Sequence, residues 1–198
     1  MTPDYGQILS DALSKSGSAS SDFDLNPDIV MPAGRVLKPA AVLVGVRENG
    51  NLILTKRSAR LKHHPGQIAF PGGKKDDSDA DLTAAALREA HEEIGLPQNQ
   101  VEVLGTLPCH ETVTAYQVTP IVALIKGNFT VLPEDGEVAE VFEVPFAHYT
   151  TPPNFRVEGR RWQGRRRQYY VAPFGPYYIW GATARILHGL ADRIASCG

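Results

Sequence analysis

The chain has 198 residues, of which 42% are apolar and 21% charged, with a formal net charge of −2 at pH 7. This suits one sizeable globular domain with its own core and gives no case for nonspecific nucleic-acid binding. No run is long and apolar enough to span a bilayer, and the two distant cysteines, Cys109 and Cys197, support neither a disulfide framework nor a structural zinc site.

Residues 4–15 place Ile8, Leu9 and Leu13 on one side of a short helix. Residues 16–21 are rich in Ser and Gly and read as a flexible connector. Residues 26–34 carry two prolines and are expected to run extended. Residues 1–34 are thus expected to be a helix and linker ahead of a main domain at 35–198. The amino terminus lacks the basic-then-apolar order of a secretory leader, so a cytoplasmic protein, of a bacterium, is the expectation. Strand-length apolar runs occupy 40–47 and 52–56, and Asn49-Gly50 between them favours a hairpin. Residues 57–67 form a basic loop, followed by a short apolar run and Pro71-Gly72-Gly73. A helix is expected over 81–94, with Gly95 as its stop. Further strands are expected at 101–107, 118–125 and 139–144, the last ending at Pro145. Residues 156–162 and 168–173 flank a Gln-Gly-Arg turn as a hairpin. A closing helix is expected over 177–196, its apolar side made by Ile179, Ala182, Ile186, Leu187 and Leu190. Mixed strands with two principal helices make an α+β pattern. An edge strand near the N-terminus offers two chains a way to pair, so a homodimer is possible.

The chemistry concentrates in residues 72–96. Ala86, Leu87, Ala90 and Ile94 recur at helical spacing, so one face can dock on a core. Glu89, Glu92 and Glu93 are three and four apart and are expected to share the opposite, solvent-side region. Clustered carboxylates repel unless a positive charge sits among them. Mg²⁺ takes one or two carboxylates together with substrate phosphates, so the pattern suggests a metal site for phosphate chemistry.

The same stretch resembles the Nudix box, G-x5-E-x7-R-E-U-x-E-E-x-G-U, where U is aliphatic. Gly73 fits its first position, and Arg88-Glu89-Ala90-His91-Glu92-Glu93-Ile94-Gly95-Leu96 fits its second half. Asp79 stands where the box has its first Glu, and eight residues rather than seven separate it from Arg88. The resemblance implies a Nudix α/β/α sandwich with a mixed β-sheet. Residues 53–73, ILTKRSARLKHHPGQIAFPGG, resemble the signature preceding the box in Nudix coenzyme A pyrophosphatases, L-L-T-x-R-[SA]-x3-R-x3-G-x3-F-P-G-G. Ile53 replaces its first Leu, and Lys62 its second Arg; Lys keeps the charge but loses bidentate phosphate geometry.

The resemblance implies metal-dependent hydrolysis of the coenzyme A diphosphate to 3′,5′-ADP and 4′-phosphopantetheine. Glu89 and Glu93 are then the ligands of Mg²⁺ or Mn²⁺. Glu92 is a third ligand or polarises the attacking water, and Arg88 orients the glutamates. Gly72 and Gly73 let the backbone approach metal or phosphate, and Glu137 or Glu140 is a base from a later segment. Arg57, Arg60, Lys62 and Phe70 complete the expected substrate site, with His63 and His64 read as loop residues beside it. The ribose 3′-phosphate is expected on the upstream cluster Arg57, Arg60, Lys62, His63 and His64, which abuts the catalytic loop, with Arg160, Arg161 and Arg165–Arg167 as the alternative; arginines 165–167 also read as a solubilising turn. Asp76, Asp77, Asp79 and Asp81 are either turn and cap or part of a metal shell. His110-Glu111 reads as an acid–base pair or a strand end, and Tyr177, Tyr178 and Trp180 as packing residues rather than a base-stacking platform. The alternatives are a Nudix diphosphatase for NADH, ADP-ribose or a nucleotide, and a Nudix-fold module that binds a nucleotide without turnover.

Overall fold

The computed structural model describes residues 3–29, 34–162 and 164–197. In chain order the elements are α1 (Tyr5–Ser14), β1 (Ser20–Ser21), β2 (Lys38–Arg47), β3 (Leu52–Arg57), β4 (Ile68–Ala69), β5 (Gly72–Lys74) and α2 (Leu82–Ile94). They continue with β6 (Val101–Thr106), β7 (His110–Glu111), β8 (Tyr116–Ile125), β9 (Val138–Val144), α3 (Phe146–Tyr149), β10 (Arg156–Trp162), β11 (Arg165–Val171) and α4 (Gly181–Ala195).

Among the described residues nine strands form one mixed sheet, and β10–β11 stand apart as an antiparallel ribbon. The centre is the parallel pair β2–β8, in register from Lys38↔Tyr116 to Arg47↔Ile125. On its other edge β2 meets β3 only at Val46↔Leu52, next to the turn. Past that point the two strands diverge, and residues 68–74 fill the gap. Ile68 and Ala69 pair with β3, while Gly72, Gly73 and Lys74 pair with Val42, Ala41 and Ala40 of β2. The Pro71 carbonyl between them accepts from the Leu43 N–H at 2.8 Å. This wedge carries the two glycines into the middle of the sheet.

Alternation along β2 splits the core in two. Ala41 and Leu43, with Ile53, Ile121, Ala123 and Ile125, meet Ala85, Ala86, Ala90 and Ile94 of α2. Val44 and Val46, with Leu52, Leu54, Val122 and Phe142, meet Leu9 and Ala12 of α1 and Ile186, Leu187 and Leu190 of α4. The result is an α/β/α sandwich with a mixed sheet, as the resemblance implies.

Two local readings need correction. Residues 16–21 are not wholly a flexible connector, since Ser20 and Ser21 pair in parallel with His110 and Glu111. The last helix begins at Gly181, not at 177. Tyr177 bridges to Phe174 and Trp180 to Val171, because Gly181 at φ 64 turns the chain before the helix can start. Of the expected extended run at 26–34, residues 30–33 lie outside the described residues. Arg165–Arg167 belong to a strand rather than to a turn.

Candidate active site

The helix α2 sets the site. Asp81 caps its start by accepting from the Ala84 N–H at 2.8 Å, and Gly95, left-handed at φ 71, ends it. Within it, Glu93 lies seven residues after Ala86 and three after Ala90, so helical geometry puts it on the core stripe. It is 4% exposed, which corrects the expectation that all three glutamates face solvent. Glu89 is half-buried and Glu92 exposed.

The Glu93 carboxylate accepts from the Gly72 N–H at 3.2 Å, and the Arg57 guanidinium lies 4.0 Å away. Burial pushes its pKa up to about 8; the charges of Glu89 and Glu137 add to this, while Gly72 and Arg57 oppose it. Burial raises Glu89 as well. Beside it, Gly73 has no room for a side chain: a Cβ there would stand 2.4 Å from Glu89 Oε1. The glycine is the space that the carboxylate occupies.

Arg88 binds outward from this pair. Its Nη1 donates to Glu89 Oε1 at 3.1 Å and to Glu92 Oε2 at 2.9 Å. Its Nη2 reaches the Lys74 carbonyl, and Asp79 holds it from behind through two oxygens. Of the acidic loop, then, Asp79 anchors Arg88, Asp81 is the helix cap, and Asp76 is 3.7 Å from Arg88.

The segment after α2 closes over the same end. The Glu134 N–H donates to the Glu93 carbonyl at 3.0 Å, and the Ser58 N–H to the Glu137 carbonyl at 2.7 Å. Partial burial raises the Glu134 pKa, and the charges of Glu137 and Glu92 add to it, so three carboxylates share the rim. Glu134 was missed in the sequence; the signal was the acid-rich turn Pro133-Glu134-Asp135-Gly136-Glu137 downstream of the helix.

Two expected site residues lie elsewhere. Glu140 pairs with Lys56 on the face of the sheet that bears Phe142 and Val144, opposite α2, and accepts from the Tyr177 hydroxyl. Phe70 is 3% exposed within the core on that same face and packs rather than binds. Of the basic loop, Arg57 reaches the box, and Arg60 is exposed, 3.9 Å from Asp135. Lys62, His63 and His64 line a neighbouring cleft. Arg160 and Arg161 pair with Arg167 and Arg166 across the separate ribbon; the Arg165 side chain lies outside the described residues. His110 is fully buried, 2.9 Å from Ser20 Oγ and 3.1 Å from Asp22 Oδ1, which gives it a packing role between strands.

Among the described residues no three His, Cys, Asp or Glu side chains form a ready metal cage. The oxygen donors nonetheless fit a hard divalent cation that takes one or two carboxylates and fills its shell with water and phosphate. Glu89 and Glu93 are one turn apart, and burial disfavours their charge when nothing positive is bound.

Residues 36–163 match the NUDIX domain family. The Nudix hydrolase NudL of Enterobacter sp. (strain 638) is 41% identical over 159 residues, covering 79% of this chain and 83% of its own. NudL of Citrobacter koseri is 43% identical over 159 residues, with the same coverage of both chains. Neither name states a substrate. The crystal structure of a MutT/nudix family protein from Enterococcus faecalis covers 99% of this chain and 76% of its own at a TM-score of 0.50. Its identity of 14% makes that a likeness of fold alone.

Proposed function

The chain belongs to the NUDIX domain family, as a hydrolase of phosphoanhydride bonds, and from that premise we propose that its substrate is coenzyme A or a coenzyme A thioester. Water attacks one phosphorus of the diphosphate, the bridging P–O bond breaks, and 3′,5′-ADP and 4′-phosphopantetheine (or its acyl form) leave.

One observation supports this reading above the others. The stretch resembling the coenzyme A signature is built into the same site as the box. Its Gly72 N–H bonds to Glu93 at 3.2 Å, its Arg57 stands 4.0 Å from Glu93, and its Gly73 makes room for Glu89.

Glu89 and Glu93 would hold Mg²⁺ or Mn²⁺, with Glu92 as third ligand or water polariser. When bound, the ion supplies charge neutralisation of the diphosphate and acidification of water. Arg88 keeps Glu89 and Glu92 aimed at one region, which lowers the cost of ordering them on binding. Arg57 brings a fixed positive charge to the same place, suited to a phosphate oxygen. Glu137, at the rim, is the candidate for receiving the proton from water; Glu140, on the far face, is not.

The test is product analysis with Mg²⁺ or Mn²⁺ on coenzyme A, its 3′-dephospho form, NADH and ADP-ribose, with Glu93→Gln as control. The expected result is 3′,5′-ADP from coenzyme A at the highest kcat/KM. Faster cleavage of NADH or ADP-ribose would move the substrate. Tight coenzyme A binding with no 3′,5′-ADP under any metal would make the chain a binding module.

A further inference from the structure

Beside Arg57 opens a cleft of about 390 Å³ lined by Lys62, His63, His64, Gln67 and Trp180. Its floor is tied to the catalytic end. The Arg57 N–H donates to the Gln67 carbonyl at 2.9 Å, and the Gly66 N–H to the Arg57 carbonyl at 3.1 Å. The cleft therefore starts one hydrogen-bonded pair away from the guanidinium that faces Glu93. His64 holds a left-handed backbone at φ 53, a conformation that costs a non-glycine residue energy and that gathers at binding sites.

Trp180 packs against Tyr169 yet stays outside the core. It is half-buried and joins neither core cluster. Its backbone is fixed by a bridge to Val171, and the Ala172 N–H donates to the Ile179 carbonyl at 2.8 Å just before it. Its ring is braced by Tyr169, with centroids 5.2 Å apart and planes 62° apart. Tyr169 Oη lies 3.4 Å from Tyr178 Oη, which donates to Glu158 Oε2 at 2.6 Å. A large indole is thus held rigid at the wall of a cleft that Lys62 also lines.

A flat ring and the Lys62 ammonium in one cleft complement a ligand that has both a π-face and an anion. In coenzyme A only the 3′-phosphoadenosine end has both. The pantetheine arm is a flexible amide chain with no ring. We propose that Trp180 and Gln67 form the seat of the adenine, with Lys62 directed to the ribose 3′-phosphate. The phosphate assignment rests on the coenzyme A reading, whereas the seat itself requires only an adenine nucleotide.

The chain has two tryptophans, so Trp162→Phe leaves Trp180 as the reporter. Titration of that protein with 3′,5′-ADP should quench its emission saturably, and 4′-phosphopantetheine should not. With coenzyme A and Mn²⁺, Trp180→Ala should raise KM about tenfold or more and leave kcat within about threefold, and Trp180→Phe, which keeps a ring, should stay within about threefold of the parent. Quenching by phosphopantetheine but not by 3′,5′-ADP would assign the cleft to the other arm and overturn the seat. An unchanged KM in Trp180→Ala, with coenzyme A still cleaved, would also overturn it while sparing the coenzyme A reading. Quenching by 3′,5′-ADP in a protein that cleaves no coenzyme A would remove that reading and keep the seat. If Trp180→Ala does not fold, the titration and Gln67→Ala decide.

Discussion

Asp79 takes Arg88 at two points: Nε donates to Oδ1 at 2.9 Å and Nη2 to Oδ2 at 3.0 Å. The same guanidinium carries Glu89 and Glu92 on its Nη1, so an acid bonded to neither glutamate sets the bearing of both. Hydrogen bonds from Arg88 and the Asp76 N–H hold the Asp79 carboxyl down at about 2, against an ordinary value of 3.8. A depressed carboxylate contributes stability that is complete above its unfolded value and is lost as pH falls through its folded value. Asp79→Asn should therefore melt below the parent at neutral pH, and the gap should close between about pH 5 and about pH 2. Turnover should fall with it, kcat more than KM, as Glu89 and Glu92 lose their support. Melting curves across that range in chelator check the first claim; a gap of constant width in acid would contradict it.

Glu93 has the opposite sign. Its pKa is pushed from 4.5 up to about 8, chiefly by burial. Without a cation the folded chain holds that proton more tightly than the unfolded chain. Stability then declines as pH rises from the unfolded value towards the folded one. Glu93→Gln should escape this penalty, so in chelator its melting temperature should gain on the parent's from about pH 5 to about pH 8. Added Mn²⁺ should rescue the parent and not the variant. Turnover in the variant should drop roughly 10²–10⁴-fold, the scale of several kcal/mol of lost charge stabilisation.

The adjacent glycines should fail differently. At Gly73 a Cβ would meet the Glu89 carboxylate, a side chain that can swing aside. At Gly72, with φ 153, it would stand 2.4 Å from the Ala41 carbonyl and 2.6 Å from Val42 Cα, which are backbone atoms of β2. Gly72→Ala should cost stability of about 1–3 kcal/mol through a parted sheet and a strained backbone. Gly73→Ala should stay closer to the parent in denaturant midpoint yet lose turnover, because the displaced group belongs to the site. Equal midpoints for the two variants would mean that the sheet yields at Gly72 after all.

What could be read from residues alone was local. The helix α2 was legible because each of its signals is short-range: Asp81 caps the first turn, Ala86, Ala90 and Ile94 recur four apart, and Gly95 follows directly. The β2–β3 turn was legible because Asn49-Gly50 demands it. The parallel pairing of Lys38–Arg47 with Tyr116–Ile125 was not, since nothing local distinguishes one apolar strand partner from another. Glu93 was misplaced because its charge outweighed its position, although its spacing from Ala86 and Ala90 already put it on the buried stripe. Glu140 was grouped with Glu137 by proximity in the chain. Glu137 precedes β9, whereas Glu140 lies within it, two and four residues before Phe142 and Val144, and the period of two puts it on their face, opposite α2.

The strap formed by residues 20–26 was the least legible part, and it yields the last prediction. Asn26 is 8% exposed, and its amide mimics a strand neighbour for Gln168. The Gln168 N–H donates to Asn26 Oδ1 at 2.8 Å, and Asn26 Nδ2 donates to the Gln168 carbonyl at 2.9 Å. A third bond, from Nδ2 to the Asp22 carbonyl at 3.1 Å, closes the strap on itself. Replacement by Ala would leave two backbone groups of β11 without partners, a loss of about 1–3 kcal/mol where water cannot fully substitute. Asn26→Ala should therefore lower the denaturation midpoint and speed exchange of the Gln168 amide. Asn26→Asp keeps an acceptor for that amide but loses the donor to the carbonyl, so it should protect the amide and still destabilise. If both variants exchanged Gln168 at the parent's rate, the strap would not be what holds the ribbon to the sandwich.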